Sequence, residues 1–152
     1  MKNINLSAML LRDIPAVLDI ESKSFEFPWC EEELFRTFGQ SNCFGNVAEC
    51  DGRVVGFVVY ELMKKGLHIL DIAVDPAARR HGVGTAMMDW LVRRLSYGHR
   101  DRIMVEVRET NRDAQLFFRS CGFLAISVLR EFYDDSSEDA YLMTLRAQLA
   151  PQ

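Results

Sequence analysis

Residues 68–86, HILDIAVDPAARRHGVGTA, constrain this chain more than any other stretch. Residues 69–74 read as a buried strand and Asp75-Pro76 as a turn. Arg79-Arg80-His81-Gly82-Val83-Gly84-Thr85 then forms a glycine-spaced loop that opens an amphipathic helix. A strand feeding such a loop at a helix N-terminus suits a phosphorylated ligand: glycines let backbone N–H groups approach, the helix dipole favours negative charge, and arginines add charge-assisted bonds. A phosphate loop of the GxxxxGK[ST] type is excluded, because no Lys-Ser/Thr follows the glycines. A dinucleotide GxGxxG is excluded because Met87 stands where its third glycine belongs. Taken alone, the remaining GxG is weak evidence, with a tight strand–helix turn and solvated arginines as its alternative.

Residues 4–11 read as a first strand, followed by a helix capped by Asp13 with Pro15 in its first turn. A second helix at 30–38 follows Pro28, with three glutamates in its first turn and Gly39 as its stop. Asp51-Gly52 signals a hairpin between strands at 43–49 and 53–63, and the second arm is apolar enough to be covered on both faces. The helix at 83–96 places Val83, Met87, Trp90 and Leu91 on one face. The strand at 102–108 alternates, with Ile103, Val105 and Val107 on one side and Met104, Glu106 and Arg108 on the other. A helix starting at Asn111 and strands at 123–132 and 140–145, separated by the acidic segment 134–139, complete the chain. The order βααβββαβαββ predicts an α/β (α+β) fold around one central sheet, in a single domain spanning 1–152.

The chain of 152 residues is 49% hydrophobic and carries a net charge of −4, so non-specific nucleic-acid binding has no electrostatic support. An acidic surface suits a cationic substrate such as an amine. No apolar run is long enough to span a bilayer, so no membrane partner is expected. Cys30, Cys43, Cys50 and Cys121 are scattered without metal-ligand spacing, which predicts thiols, no metal and a reducing cytoplasm.

DIAVDPAARRHGVGTAMMDWL resembles the acetyl-CoA motif of the GNAT (Gcn5-related) N-acetyltransferases, Arg/Gln-x-x-Gly-x-Gly/Ala, met here by Arg79, Gly82 and Gly84. VEVRETNRDAQLFFRSCGF and EDAYLM continue the resemblance, and SFEFPW is similar to the RimI-type ribosomal-protein-alanine N-acetyltransferases. The resemblance implies a mixed, mostly antiparallel twisted sheet, splayed at the cofactor site and flanked by about four helices. It implies acetyl-CoA as acetyl donor and a protein or peptide N-terminus, a ribosomal protein among the candidates, as acceptor. The protein is expected as a monomer or weak homodimer. Backbone groups of Ile72, Ala73 and Val74 would meet the acetyl and pantetheine portion. Arg79, Arg80, His81, Gly82, Val83, Gly84 and Thr85 would cradle the pyrophosphate, and Asn111 would hydrogen-bond the cofactor.

An amine must lose a proton before it attacks a thioester, and a carboxylate can take it. Glu106 stands mid-strand in apolar surroundings and on the general-base position of the resembled enzymes; an ion pair with Arg108 is the bland alternative. The family's tyrosine, which protonates the departing thiolate, corresponds to Phe118 in the cofactor region, and Tyr133 is the substitute to weigh against a packing role. Cys121 reads as structural, so no acetyl-enzyme intermediate is expected. His68 and His99 read as strand-end or surface histidines. Phe27 and Trp29 either line the substrate entrance or anchor the second helix. Two other readings remain open: a GNAT enzyme acting on a small amine, antibiotic or lysine side chain, and an acyl-CoA-binding regulatory module.

Overall fold

The computed structural model describes residues 3–147. Its elements are β1 (Asn5–Ala8), α1 (Ile14–Ser24), α2 (Glu31–Phe38), β2 (Cys43–Cys50), β3 (Arg53–Leu62), β4 (Gly66–Val74), α3 (Val83–Ser96), β5 (Arg102–Arg108), α4 (Arg112–Ser120), β6 (Leu124–Leu129) and β7 (Ala140–Arg146). The order is the one expected from the sequence. Seven strands follow β1-β2-β3-β4-β5-β7-β6 in one sheet. The β1–β2, β2–β3, β5–β7 and β6–β7 pairs are antiparallel, and β4–β5 is parallel. The sheet is therefore mixed and mostly antiparallel, with four helices. Two compact units divide the chain: the described residues through Leu62 with Leu70–Leu91, and Met63–Ile69 with the described residues from Val92.

In the first unit, Asp51 (φ 54°) and Gly52 (φ 77°) both take the left-handed conformation that a two-residue hairpin turn requires. They join β2 to β3, whose residues Val55–Tyr60 are buried, as an apolar run covered on both faces should be. One core gathers Ile14, Val17, Ile20 and Leu34 of the first two helices with Val47, Phe57, Val59 and Ala73. Another gathers Val55, Ala78, Val83 and Met87, with Ile72 and Val74 against it. Gly56 permits the close fit of α3: a Cβ there would meet the Ala73 carbonyl and Val83 Cγ1, both at 3.1 Å.

Local differences from the sequence reading have physical causes. The first strand stops at Ala8 because Met9 N–H donates to Gly45 O, and Leu10 N–H then turns to Asp13 Oδ2 (2.8 Å). Asp13 consequently caps the 3-10 turn Leu11–Asp13 with its side chain, and α1 starts without a side-chain cap. The strand read at 123–132 ends at Leu129, shortly before Glu131 enters the left-handed region (φ 46°).

In the second unit, β5 alternates as predicted, with Ile103, Val105 and Val107 buried. The parallel register runs from Gly66↔Arg102 to Ile69↔Val105, four pairs. β7 pairs with β5 along its whole length, Arg102↔Arg146 to Arg108↔Ala140. Asn111 caps α4, its Oδ1 accepting from Ala114 N–H at 3.1 Å.

Candidate active site

In the first unit, the glycine loop is held from below by Asp75. Its buried carboxylate accepts from Ala77 N–H (3.1 Å) and Arg53 Nη2 (3.2 Å), and its own N–H donates to Val55 O (2.8 Å). This fixes the turn Pro76–Ala78 and the point where the loop leaves β4. Arg79 folds back, with Nε donating to Val74 O (3.2 Å) and Nη2 to Ser24 Oγ (3.4 Å). Arg80 (φ 67°) and Gly82 (φ 83°) both lie in the left-handed region. At Gly82 a Cβ would meet nothing within 4 Å, so the backbone lies open on that side. Gly82 O accepts from Ala86 N–H (3.0 Å), which makes it the first carbonyl of α3. Helix geometry leaves the N–H groups of Val83, Gly84 and Thr85 without a carbonyl one turn earlier. Exposed Arg80 and His81 flank those donors. An open backbone cradle, helix-end donors and cationic side chains fit a pyrophosphate.

Ile72 and Val74 pack their side chains on the α3 core and Ala73 on the α1–α2 core. Their side chains are thus committed to packing. Trp29 is partly buried against the α1–α2 core, and its backbone N–H donates to Glu21 Oε2 (2.8 Å). The anchoring alternative therefore holds for Trp29. Glu21, only 2% exposed, also faces Asp71; burial, and next the Glu21 carboxyl, push the Asp71 carboxyl well above the usual range. Sequence reasoning missed this carboxyl pair: the two positions lie fifty residues apart, and the helical spacing of Glu21 was the sole signal.

In the second unit, Glu106 and His68 meet. His68 Nε2 lies 2.8 Å from Oε1 and 2.7 Å from Oε2 of Glu106, with the two side chains 19% and 18% exposed. The sequence reading of His68 as a plain strand-end residue overlooked this contact. A signal existed: two strands joined through a helix pair in parallel, and the alternation of β5 puts Met104, the register partner of His68, on the Glu106 face.

Arg108 bonds the acidic segment instead: Nη2 donates to both oxygens of Asp135 (2.9 and 2.7 Å), and Nη1 to Ser136 (3.1 Å) and Glu138 (3.5 Å). Its guanidinium lies 3.8 Å over the Tyr133 ring. Burial pushes the Tyr133 phenol up to about 12, against the opposing pull of Arg108. Phe118 is 3% exposed and packs on Phe117 and Phe123. Asn111 spends Oδ1 on its cap, leaving its amide N–H₂. Among the described residues no helix is long and apolar enough to cross a membrane, and no group of His, Cys, Asp and Glu could hold a metal ion.

The model of the Acetyltransferase (GNAT) family matches residues 14–123. The [ribosomal protein bS18]-alanine N-acetyltransferase of Escherichia coli strain K12 is 28% identical over 142 residues, 92% of this chain and 95% of the relative. An uncharacterized N-acetyltransferase of Methanocaldococcus jannaschii is 34% identical over 134 residues, 87% and 85%. The crystal structure of the Escherichia coli ribosomal-protein-S18-alanine N-acetyltransferase superposes with a TM-score of 0.84 at 27% identity, covering 99% of this chain and 97% of that one. A match that begins in α1 and ends just past α4 takes in both the glycine loop and β5. The chain belongs to the GNAT family of acetyltransferases.

Proposed function

We propose that this protein transfers acetyl from acetyl-CoA directly to the α-amino group of a protein N-terminus, with Glu106 as general base. The observation that carries the proposal is the Glu106 carboxylate, four-fifths buried on β5 and hydrogen-bonded to His68. Likeness over nearly the whole length to a ribosomal-protein-alanine N-acetyltransferase supports an N-terminal alanine as acceptor. Chemistry agrees: an α-ammonium has a pKa near 8 and a lysine ammonium near 10.4, so a carboxylate base deprotonates the former far more readily.

In this reading, the backbone donors of residues 82–85 with Arg79, Arg80 and His81 hold the pyrophosphate. The backbone of Ile72, Ala73 and Val74 holds the pantetheine and thioester, and Asn111 offers its amide N–H₂. Glu106 removes one proton from the α-ammonium. The freed nitrogen lone pair forms a C–N bond to the thioester carbonyl carbon, and the C–S bond breaks with its electron pair on sulfur. The second N–H proton ends on the thiol, so one proton is released per turnover. Thiol side chains at all four cysteines are compatible with a cytoplasmic setting.

The test pairs peptides that begin with free or blocked alanine and carry an internal lysine, with CoA release and the acetylated position both measured. Acetylation of the free N-terminus alone is expected, and equal use of the lysine overturns the N-terminal assignment. Glu106→Gln is expected to cut turnover roughly 10²–10⁴-fold at neutral pH with acetyl-CoA affinity retained. A wild-type rate would move the base elsewhere.

A further inference from the structure

We infer that Asp71 is a positioning residue that works as a neutral acid: its hydroxyl supplies the donor that the buried Glu21 carboxylate lacks, and the bond so formed fixes the β4 backbone just before Ile72. The inference rests on the reading of Ile72, Ala73 and Val74 as the backbone that holds the thioester.

Two carboxyls facing each other in apolar surroundings need one proton between them. Glu21 is 2% exposed, and its Oε2 accepts from the backbone N–H of Trp29 at 2.8 Å. Its Oε1 is buried as well, and among the described residues no donor reaches it unless Asp71 carries a proton. A buried oxygen of this kind is rarely left without a donor. The Trp29 bond favours the anion at Glu21, so the proton belongs to Asp71. Glu21 is the one charged group that acts on Asp71 among the described residues. On α1, Lys23 pairs with Asp19 (2.8 Å), and Arg79 of the glycine loop bonds Val74 and Ser24. The flanking residues Ile20, Leu70 and Ala73 belong to the α1–α2 core and bring no charge.

The bond sits at an irregularity. Side chains of a regular strand alternate between its two sides. In β4, Leu70 packs on the α1–α2 core and Asp71 faces α1 as well; Ile72 and Val74 then turn to the α3 core, and Ala73 back to the first. Two successive residues on one side mark a bulge, which re-aims the backbone. Asp71 pins that bulge to Glu21 while the Ile72 N–H bonds the same Asp71 carboxyl. The Trp29 N–H on Glu21 extends the tie to the segment that enters α2. Loss of the Asp71 proton to solvent sets two anions against each other in an apolar setting. The tie then gives way, and the backbone of Ile72, Ala73 and Val74 loses its aim. Turnover thus depends on a proton that takes no part in the transfer.

The experiment compares wild type, Asp71→Asn and Asp71→Leu, with acetyl-CoA and a peptide bearing a free N-terminal alanine. Asn reproduces the neutral acid, with an N–H₂ for Glu21 and an oxygen for Ile72, and cannot ionise. Leu fills the space without a donor. Asp71→Asn is expected to keep kcat within about threefold at pH 7 and to lose the alkaline fall in kcat that wild type shows, with folding at each pH checked by circular dichroism. The same alkaline limb in both proteins overturns the inference, as does its absence from wild type. Asp71→Leu is expected to lose roughly tenfold or more in kcat at every pH. A folded Asp71→Leu with the wild-type kcat overturns the positioning role. A further measurement needs neither turnover nor the Leu variant: the infrared difference between wild type and Asp71→Asn at pH 7 is expected to contain the carbonyl stretch of a protonated carboxyl. A difference spectrum without that band overturns the inference. If wild type leaves the peptide unacetylated, the functional reading and the inference fail together. If it acetylates the peptide and the limb persists in Asp71→Asn, the inference alone fails.

Discussion

Phe118 packs on Phe117 and Phe123 and carries no hydroxyl to offer a departing thiolate, so the phenol to consider is Tyr133. Its environment argues against a full proton transfer. Burial holds the phenol at about 12, whereas an ordinary thiol sits near 8.5, so donation to a thiolate runs roughly a thousandfold uphill. A hydrogen bond is what remains available to it, and the second amine proton reaches the thiolate through solvent. Tyr133→Phe is therefore expected to cost less than about tenfold in kcat, measured by thiol release, well short of the loss at Glu106. A hundredfold loss would restore Tyr133 as the acid. At this scale the sequence was legible for position along an element, as for Glu106 on its β5 face and Phe118 in α4. It was illegible where a partner comes from another strand or helix, as with His68 and Asp71.

Among the elements, β4, its loop and α3 are the most legible. Alternation, Asp75-Pro76 and two glycines write them in consecutive residues, and α3 runs Val83–Ser96 as read. Strand ends were less so, because β1 and β6 stop where tertiary hydrogen bonds and left-handed turns intervene, which propensity does not record. The same loop yields a prediction. At Gly82 neighbours leave room for a side chain while φ 83° penalises it by about 1–2 kcal/mol. Gly82→Trp is thus expected to fold with a small loss of Tm and to abolish acetyl-CoA binding in isothermal titration, its ring occupying the phosphate side of the backbone. Binding within threefold of wild type would remove the loop from the cofactor site. Gly82→Ala serves as the control, with the strain and without the bulk.

For the whole molecule, the Asp71–Glu21 pair ties stability to pH. Burial and the facing carboxyl favour the protonated form of Asp71 in the folded chain. The stability carried by that proton is complete below the ordinary carboxylate value near 3.9 and is lost as pH climbs through the raised value of the fold. Asp71→Asn replaces the titrating donor with a permanent one toward Glu21. Its Tm is expected to match wild type near pH 4 and to exceed it increasingly toward pH 8, by about 2–4 °C per kcal/mol relieved. A constant difference across that range would refute the pair as the cause. The fold class was legible because its signals are local, namely two periodicities and a hairpin turn. The division into two units was not, because both β4 and α3 run from one unit into the other without a break in their pattern.

The meeting of His68 and Glu106 has a consequence for descent. Losing either residue removes from the other, itself mostly buried, the hydrogen bond between them, which costs about 1.5–3 kcal/mol. Neither position can drift alone, although 38 residues separate them. Among close descendants of this gene the two should be inherited as one character, and a motif written along β5 alone would record only half of it.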